Sequence, residues 1–198
     1  KEMNYGGFVS GVRRGVISKY EPQTSFQLAH GHIGGDRMSL NRHAYSLVYS
    51  WFLKRYIEQY DELVSPITLV EVGILKGSGL AIWSDMFPGS RIIGCDLEPE
   101  IFYANLEELK SRGAFKTIPE IYRFDQYQVS AQSVSSMLGG DKIDIFIDDG
   151  AHTSRAITET IKAVRPNCSN DFIYFIEDNK FIAEEVRRLV PNDFVYSF

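Results

Sequence analysis

The sequence predicts an α/β fold: a doubly wound, mostly parallel sheet with a helical N-terminal cap. Three observations predict it. From residue 67 onward, short Ile- and Val-rich runs alternate with amphipathic helical stretches, and the connections between them are short. The first two runs end in a glycine-rich turn and in an aspartate, the places where such a sheet gathers its ligands.

Composition changes near residue 60, which divides an N-terminal arm and cap helix (1–60) from an α/β domain (61–198). Tyr5 to Ile33 is rich in Gly, Arg and polar residues and reads as an irregular arm. From Asn41 to Tyr60 the positions Tyr45, Val48, Tyr49, Phe52, Leu53 and Tyr56 recur at helical spacing, and Ser65-Pro66 ends the linker. Ile67 to Gly73 is a buried strand, Leu80 to Phe87 a helix, Pro88-Gly89 a turn and Arg91 to Asp96 the second strand, which completes one βαβ unit. Helix Glu100 to Ser111, strand Glu120 to Phe124, helix Ser130 to Leu138 and strand Ile143 to Asp148 continue the pattern. Helix Ser154 to Val164, strand Phe172 to Glu177 and helix Lys180 to Val190 follow. Asp193 to Phe198 alternates like a terminal strand with nothing after it to pair with. With Lys1 in place of an initiator Met, that ending reads as a fragment of a longer protein lacking the last strand of its sheet.

The 198 residues, 44% hydrophobic and 24% charged, suit one packed core and exclude disorder and collagen. With 21 Lys and Arg against 26 Asp and Glu, the net charge of −5 disfavours nucleic acid as a partner. No apolar window reaches the roughly 18 residues of a membrane span, and the first residues lack a signal-peptide pattern. The two cysteines, Cys95 inside an apolar run and Cys168, fit a reducing, cytoplasmic compartment. Assembly as a homo-oligomer is compatible with the sequence but is not read from it.

Acids gather at the strand ends. Glu71-Val72-Gly73-Ile74-Leu75-Lys76-Gly77-Ser78-Gly79 lets the backbone turn tightly and opens a helix whose free N–H groups face a ligand. Asp96 lies 23 positions beyond Gly73, near the roughly 20-residue spacing at which an acid accepts both ribose hydroxyls. Together they describe an adenosine site, although the glycines follow neither the dinucleotide nor the Walker pattern. A tight turn that binds nothing, and an Asp96 that caps the helix after Pro99, are the alternatives. Further along, Asp148-Asp149-Gly150-Ala151-His152 and Glu177-Asp178-Asn179 end strands that neighbours would bring within ~5 Å of each other. Four carboxylates there are costly without a cation, and a divalent ion, Mg²⁺ before Mn²⁺ or Ca²⁺, is the simplest remedy. Acids that cap helices and face water are the alternative.

These residues resemble a class I S-adenosylmethionine-dependent methyltransferase of Rossmann-like fold. More narrowly, Asp148-Asp149-Gly150-Ala151-His152 with Ile176-Glu177-Asp178 is similar to the D-D-G-S-H and I-E-D motifs of the metal-dependent sugar O-methyltransferases of macrolide biosynthesis, mycinamicin type. Cephalosporin-hydroxylase-like methyltransferases share part of the pattern. Trp83 to Gly94 resembles that family's W-x-x-x-F-P-x-x-x-I-x-G stretch, and Gly35-Asp36-Arg37 with His43-Ala44-Tyr45 and Tyr49 its T-D-K and H-x-Y-x-x-x-Y segment. Arg37 stands where Lys is usual and Ala151 where Ser is usual.

The resemblance implies an O-methyltransferase that moves a methyl group from S-adenosylmethionine to a sugar hydroxyl of a natural product or glycan. It implies that Glu71, Gly73, Gly77 and Ser78 border the cofactor, with Asp96 on the ribose, Asp125-Gln126 at the adenine and Asp148 beside them. Asp149, Glu177 and Asp178 would ligate the metal, and His152 would be the general base. An alcohol holds its proton far above pH 7, so a divalent ion together with a neutral imidazole is chemically apt. A catechol-type enzyme acting on a phenolic diol through Asp148, Asp178 and Asn179 is one alternative. A non-catalytic S-adenosylmethionine-binding module is another.

Overall fold

The computed structural model describes residues 45–59, 66–111 and 113–197. The elements run α1 (Tyr45–Gln59), β1 (Thr68–Val72), α2 (Ser78–Met86), β2 (Arg91–Asp96), α3 (Glu100–Ser111) and β3 (Glu120–Arg123). They continue with α4 (Ala131–Leu138), β4 (Ile143–Asp148), α5 (Ser154–Val164), a 3-10 turn (Arg165–Asn167), β5 (Cys168–Ile176) and α6 (Ala183–Leu189).

The five strands form one sheet in the order β3-β2-β1-β4-β5, and every pairing is parallel. From β1 the chain first winds outward through β2 to β3, then returns to the other side of β1 for β4 and β5. The order therefore reverses between β1 and β4, where an open α/β sheet forms its crevice. Register decides what meets there. Val72 lies opposite Cys95 and Asp148, and Asp148 opposite Ile176, so the chain leaves β1, β4 and β5 on one level. The ladder continues one step further, with Gly73 N–H donating to Cys95 O, Asp149 N–H to Val72 O and Glu177 N–H to Asp148 O, each at 2.9 Å.

The described residues group into two compact units. One gathers α1 with the segments Lys76–Gly89 and Ile101–Ile118, where the Tyr49 and Trp83 rings pack 5.0 Å apart and Phe102 meets Phe115 edge-on. The other holds the whole sheet with α4, α5 and α6. Its core packs Val70, Val72, Ile93, Cys95 and Phe146 of the strands against Val134 and Leu138 of α4 and Ala163 and Val164 of α5. Each large apolar side chain buried in this way contributes ~1.5–3 kcal/mol. Ile157 and Ile161 of α5 meet Ile182 and Val186 in a second cluster. The caps are local: Ser130 and Ser133 bond reciprocally at the start of α4, and Thr153 Oγ1 accepts from Ala156 N–H at the start of α5.

β2, α3, β4 and α5 have the bounds read from the sequence, while β5 begins at Cys168 rather than Phe172 because its polar first residues hide the alternation. The expected terminal strand is a correction: residues 194–197 form no strand. Val195 packs on the α5–α6 cluster and its carbonyl accepts from Arg187 Nη2, with exposed Phe194 and Tyr196 on either side, so the alternation reflects packing on a helix face. The arm, Gly35-Asp36-Arg37, His43-Ala44 and the boundary at residue 60 lie outside the described residues. Among the described residues, no helix is long and apolar enough to cross a membrane.

Candidate functional site

The level on which β1, β4 and β5 end carries the acids. Asp149 leaves β4, His152 ends the same loop just before α5, and Asp178 follows β5. Their ligand atoms lie within 4.8 Å of one another. His152 and Asp178 both adopt the left-handed backbone region, at φ 54° and 56°, which non-glycine residues hold only where their surroundings impose it. The Nδ1 of His152 is buried and has no hydrogen-bond partner among the described residues. Two carboxylates and an imidazole with an unbonded ring nitrogen are a donor set that fits a divalent ion, the carboxylates suiting Mg²⁺ and the nitrogen also Mn²⁺.

Glu177, expected among the ligands, is 4% exposed and stands outside this group, its backbone continuing the sheet. Asp148 is also withdrawn, at 1% exposure. Its Oδ1 accepts from Gln126 Nε2 at 2.8 Å and its Oδ2 from the Tyr174 hydroxyl at 3.0 Å. Burial pushes this carboxyl above the ordinary aspartate range, against the hydrogen bonds from Gln126 and Tyr174 that favour the charged form. Asn179 turns its amide to His152 O at 2.9 Å, and its Oδ1 accepts from Phe181 N–H.

The expected cofactor residues divide. Glu71 is buried in the central strand, paired in register with Gly94 and Ile147. Gly73, at φ 85°, turns the chain directly against Asp149. Asp96 ends β2 with its carboxylate accepting the N–H groups of Leu75 at 3.0 Å and Glu98 at 2.9 Å, which ties it to the turn after Gly73. Asp125 folds the loop after β3 by accepting from Tyr127 N–H and Gln128 Nε2. Gln126 is buried, its carboxamide engaged inside the fold. Gly77 and Ser78 belong to the other unit, as the N-cap and first residue of α2. Sequence reasoning missed Tyr174 and Thr160, which flank Asp148 and Gln126; each sits in an apolar pattern that gives no signal of a polar contact.

No protein-family model matches the chain. MycE methyltransferase from the mycinamycin biosynthetic pathway, solved in complex with Mg and SAH, superposes with a TM-score of 0.51 at 21% identity, over 68% of this chain and 34% of MycE. The chain has the methyltransferase fold. The MycE complex with Mg, SAH and mycinamycin VI gives the same identity and coverage at a TM-score of 0.50. In sequence, the chain is similar to 8-demethyl-8-alpha-L-rhamnosyl tetracenomycin-C 2'-O-methyltransferase of Streptomyces olivaceus, 23% identical over 140 residues, which are 65% of this chain and 34% of that protein. It thus spans about a third of the length of these relatives.

Proposed function

We propose that this chain carries the cofactor and metal half of an S-adenosylmethionine-dependent O-methyltransferase whose acceptor is a sugar hydroxyl on a glycosylated natural product or glycan. The observation that carries the reading is the convergence of Asp149, His152 and Asp178 beside the Gly73 turn. The relatives' names, a rhamnosyl 2'-O-methyltransferase and a macrolide-pathway methyltransferase, support the acceptor class. A divalent ion held there would make an acceptor hydroxyl more acidic.

In this reading Asp149 and Asp178 hold the ion, and His152 takes the acceptor proton on a ring nitrogen. Asp96 receives the ribose hydroxyls on the lone pairs that Leu75 and Glu98 leave unused, and Gly73 lets the turn approach the methionine end. The catechol-type set is disfavoured by the burial of Asp148 and by the engagement of Asn179 with His152 and Phe181. A cytoplasmic setting remains part of the proposal.

Calorimetry with SAH, followed by methyl-transfer assays with glycosylated acceptors in Mg²⁺ or EDTA, tests it. Binding of SAH with Mg²⁺-dependent transfer is expected. A preference for NAD, or full transfer in chelator, would overturn it.

A further inference from the structure

Gln126 lies on the loop after the edge strand β3, with β2 and β1 between it and β4, yet it reaches the loop that carries Asp149 and His152. Its Nε2 donates to Asp148 Oδ1 at 2.8 Å and to Thr160 Oγ1 at 3.1 Å, which uses both amide hydrogens. Its Oε1 accepts the backbone N–H of Ala151 at 2.7 Å. The missing side chain of Gly150 makes room, since a Cβ there would stand 2.2 Å from that oxygen. At 6% exposure, with donors and acceptor all engaged, the carboxamide is a fixed part of the interior. Asn179 matches it from the other side by donating to His152 O at 2.9 Å. The left-handed backbone of His152 is thus held just before the residue by one amide side chain and just after it by another.

We propose that Gln126 is a positioning residue for the metal cluster, fixing the backbone between Asp149 and His152, and not a reader of the adenine ring. The inference rests on the reading above that Asp149 and Asp178 hold a divalent ion beside His152. Groups that hydrogen-bond metal ligands commonly change metal affinity by 10–100-fold when lost, and Gln126 acts one step further out, on the backbone between Asp149 and His152. A neutral amide also suits the place, because a carboxylate there would face Asp148.

The test is Mn²⁺ titration followed by electron paramagnetic resonance, with SAH affinity measured in parallel. Gln126→Met, of similar length but without polar atoms, is expected to weaken Mn²⁺ binding by about tenfold or more while SAH affinity stays within about threefold. Tyr174→Phe removes the other hydrogen bond to Asp148 without touching the loop, so it should bind Mn²⁺ like the wild type. This separates positioning from a general loosening of the interior. If Gln126→Met folds poorly, Gly150→Ala displaces the same carboxamide from the opposite side and should give the same loss. Normal Mn²⁺ binding in both variants, or a loss confined to SAH, would overturn the role of Gln126 and leave the metal reading standing. Absence of Mn²⁺ binding in the wild type would remove the metal reading and this proposal together.

Discussion

Gly73 and Asp149 meet backbone to backbone: a Cβ on Gly73 would stand 2.0 Å from the carbonyl oxygen of Asp149 and 2.5 Å from its carbonyl carbon. The turn assigned to the cofactor and the first residue of the acidic cluster are thus parts of one contact. Gly73→Ala combines this clash with a left-handed φ and should destabilise the protein by at least about 2 kcal/mol. Urea unfolding measures it, and a variant of wild-type stability would show that the contact relaxes at little cost.

Asp96→Ala should weaken SAH binding by more than tenfold, on the order of 1.5–3 kcal/mol for lost charge-assisted hydrogen bonds. Asp96→Asn, which keeps an acceptor for one of the two turn amides, should lose less. Calorimetry separates the two, and equal affinity in all three proteins would remove Asp96 from the site.

Asp178→Ala should weaken divalent-ion binding on the order of a hundredfold, whereas Glu177→Gln should change it far less. EDTA should stop methyl transfer and barely move the melting curve, since the apolar core does not depend on the cluster. A variant series in which Glu177 proves the stronger ligand would show that its buried side chain turns outward when the ion binds.

His152→Ala should lower turnover by roughly 10²–10⁴-fold, the range for a positioned base, with SAH affinity unchanged. Parallel loss of turnover and cofactor binding would make the residue structural.

Much of this was legible in the sequence for definite reasons. Short apolar runs marked β2 and β4, and the helical pattern from Ser154 to Val164 marked α5, so the strand ends and the acids beyond them could be located. Less could be said about adjacent acids. Successive residues at a strand end point to opposite sides, and nothing in Glu177-Asp178 tells which one turns into the site. In the structure Asp178, with a left-handed backbone, stands with Asp149 and His152, while Glu177 is buried. Nor does sequence spacing show that Gln126, on an edge-strand loop, crosses to β4, because that contact depends on strand order.

A further expectation concerns acid stability. Arg91 grips Glu120 with Nε to Oε1 at 2.7 Å and Nη2 to Oε2 at 2.8 Å, and this pairing holds the Glu120 carboxyl below its usual value of 4.5. Because the folded value is the lower one, the stabilisation is present above the usual value and is lost as pH falls through the depressed one. The pair is partly solvated, so Glu120→Gln should flatten the acid limb of the stability curve by at most about 1 kcal/mol. Denaturation midpoints measured from neutral to acid pH check it.

On the proposed roles, the left-handed conformations of His152 and Asp178 set catalysis against robustness. An L-residue in that region costs roughly 1–2 kcal/mol that glycine does not incur. His152→Gly and Asp178→Gly should therefore each unfold at higher denaturant concentration than the matching alanine variants while remaining as inactive. Selection for a firmer fold alone would erode these two positions toward glycine; on the proposed roles, their present side chains mark where the protein holds stability below its attainable level in exchange for chemistry.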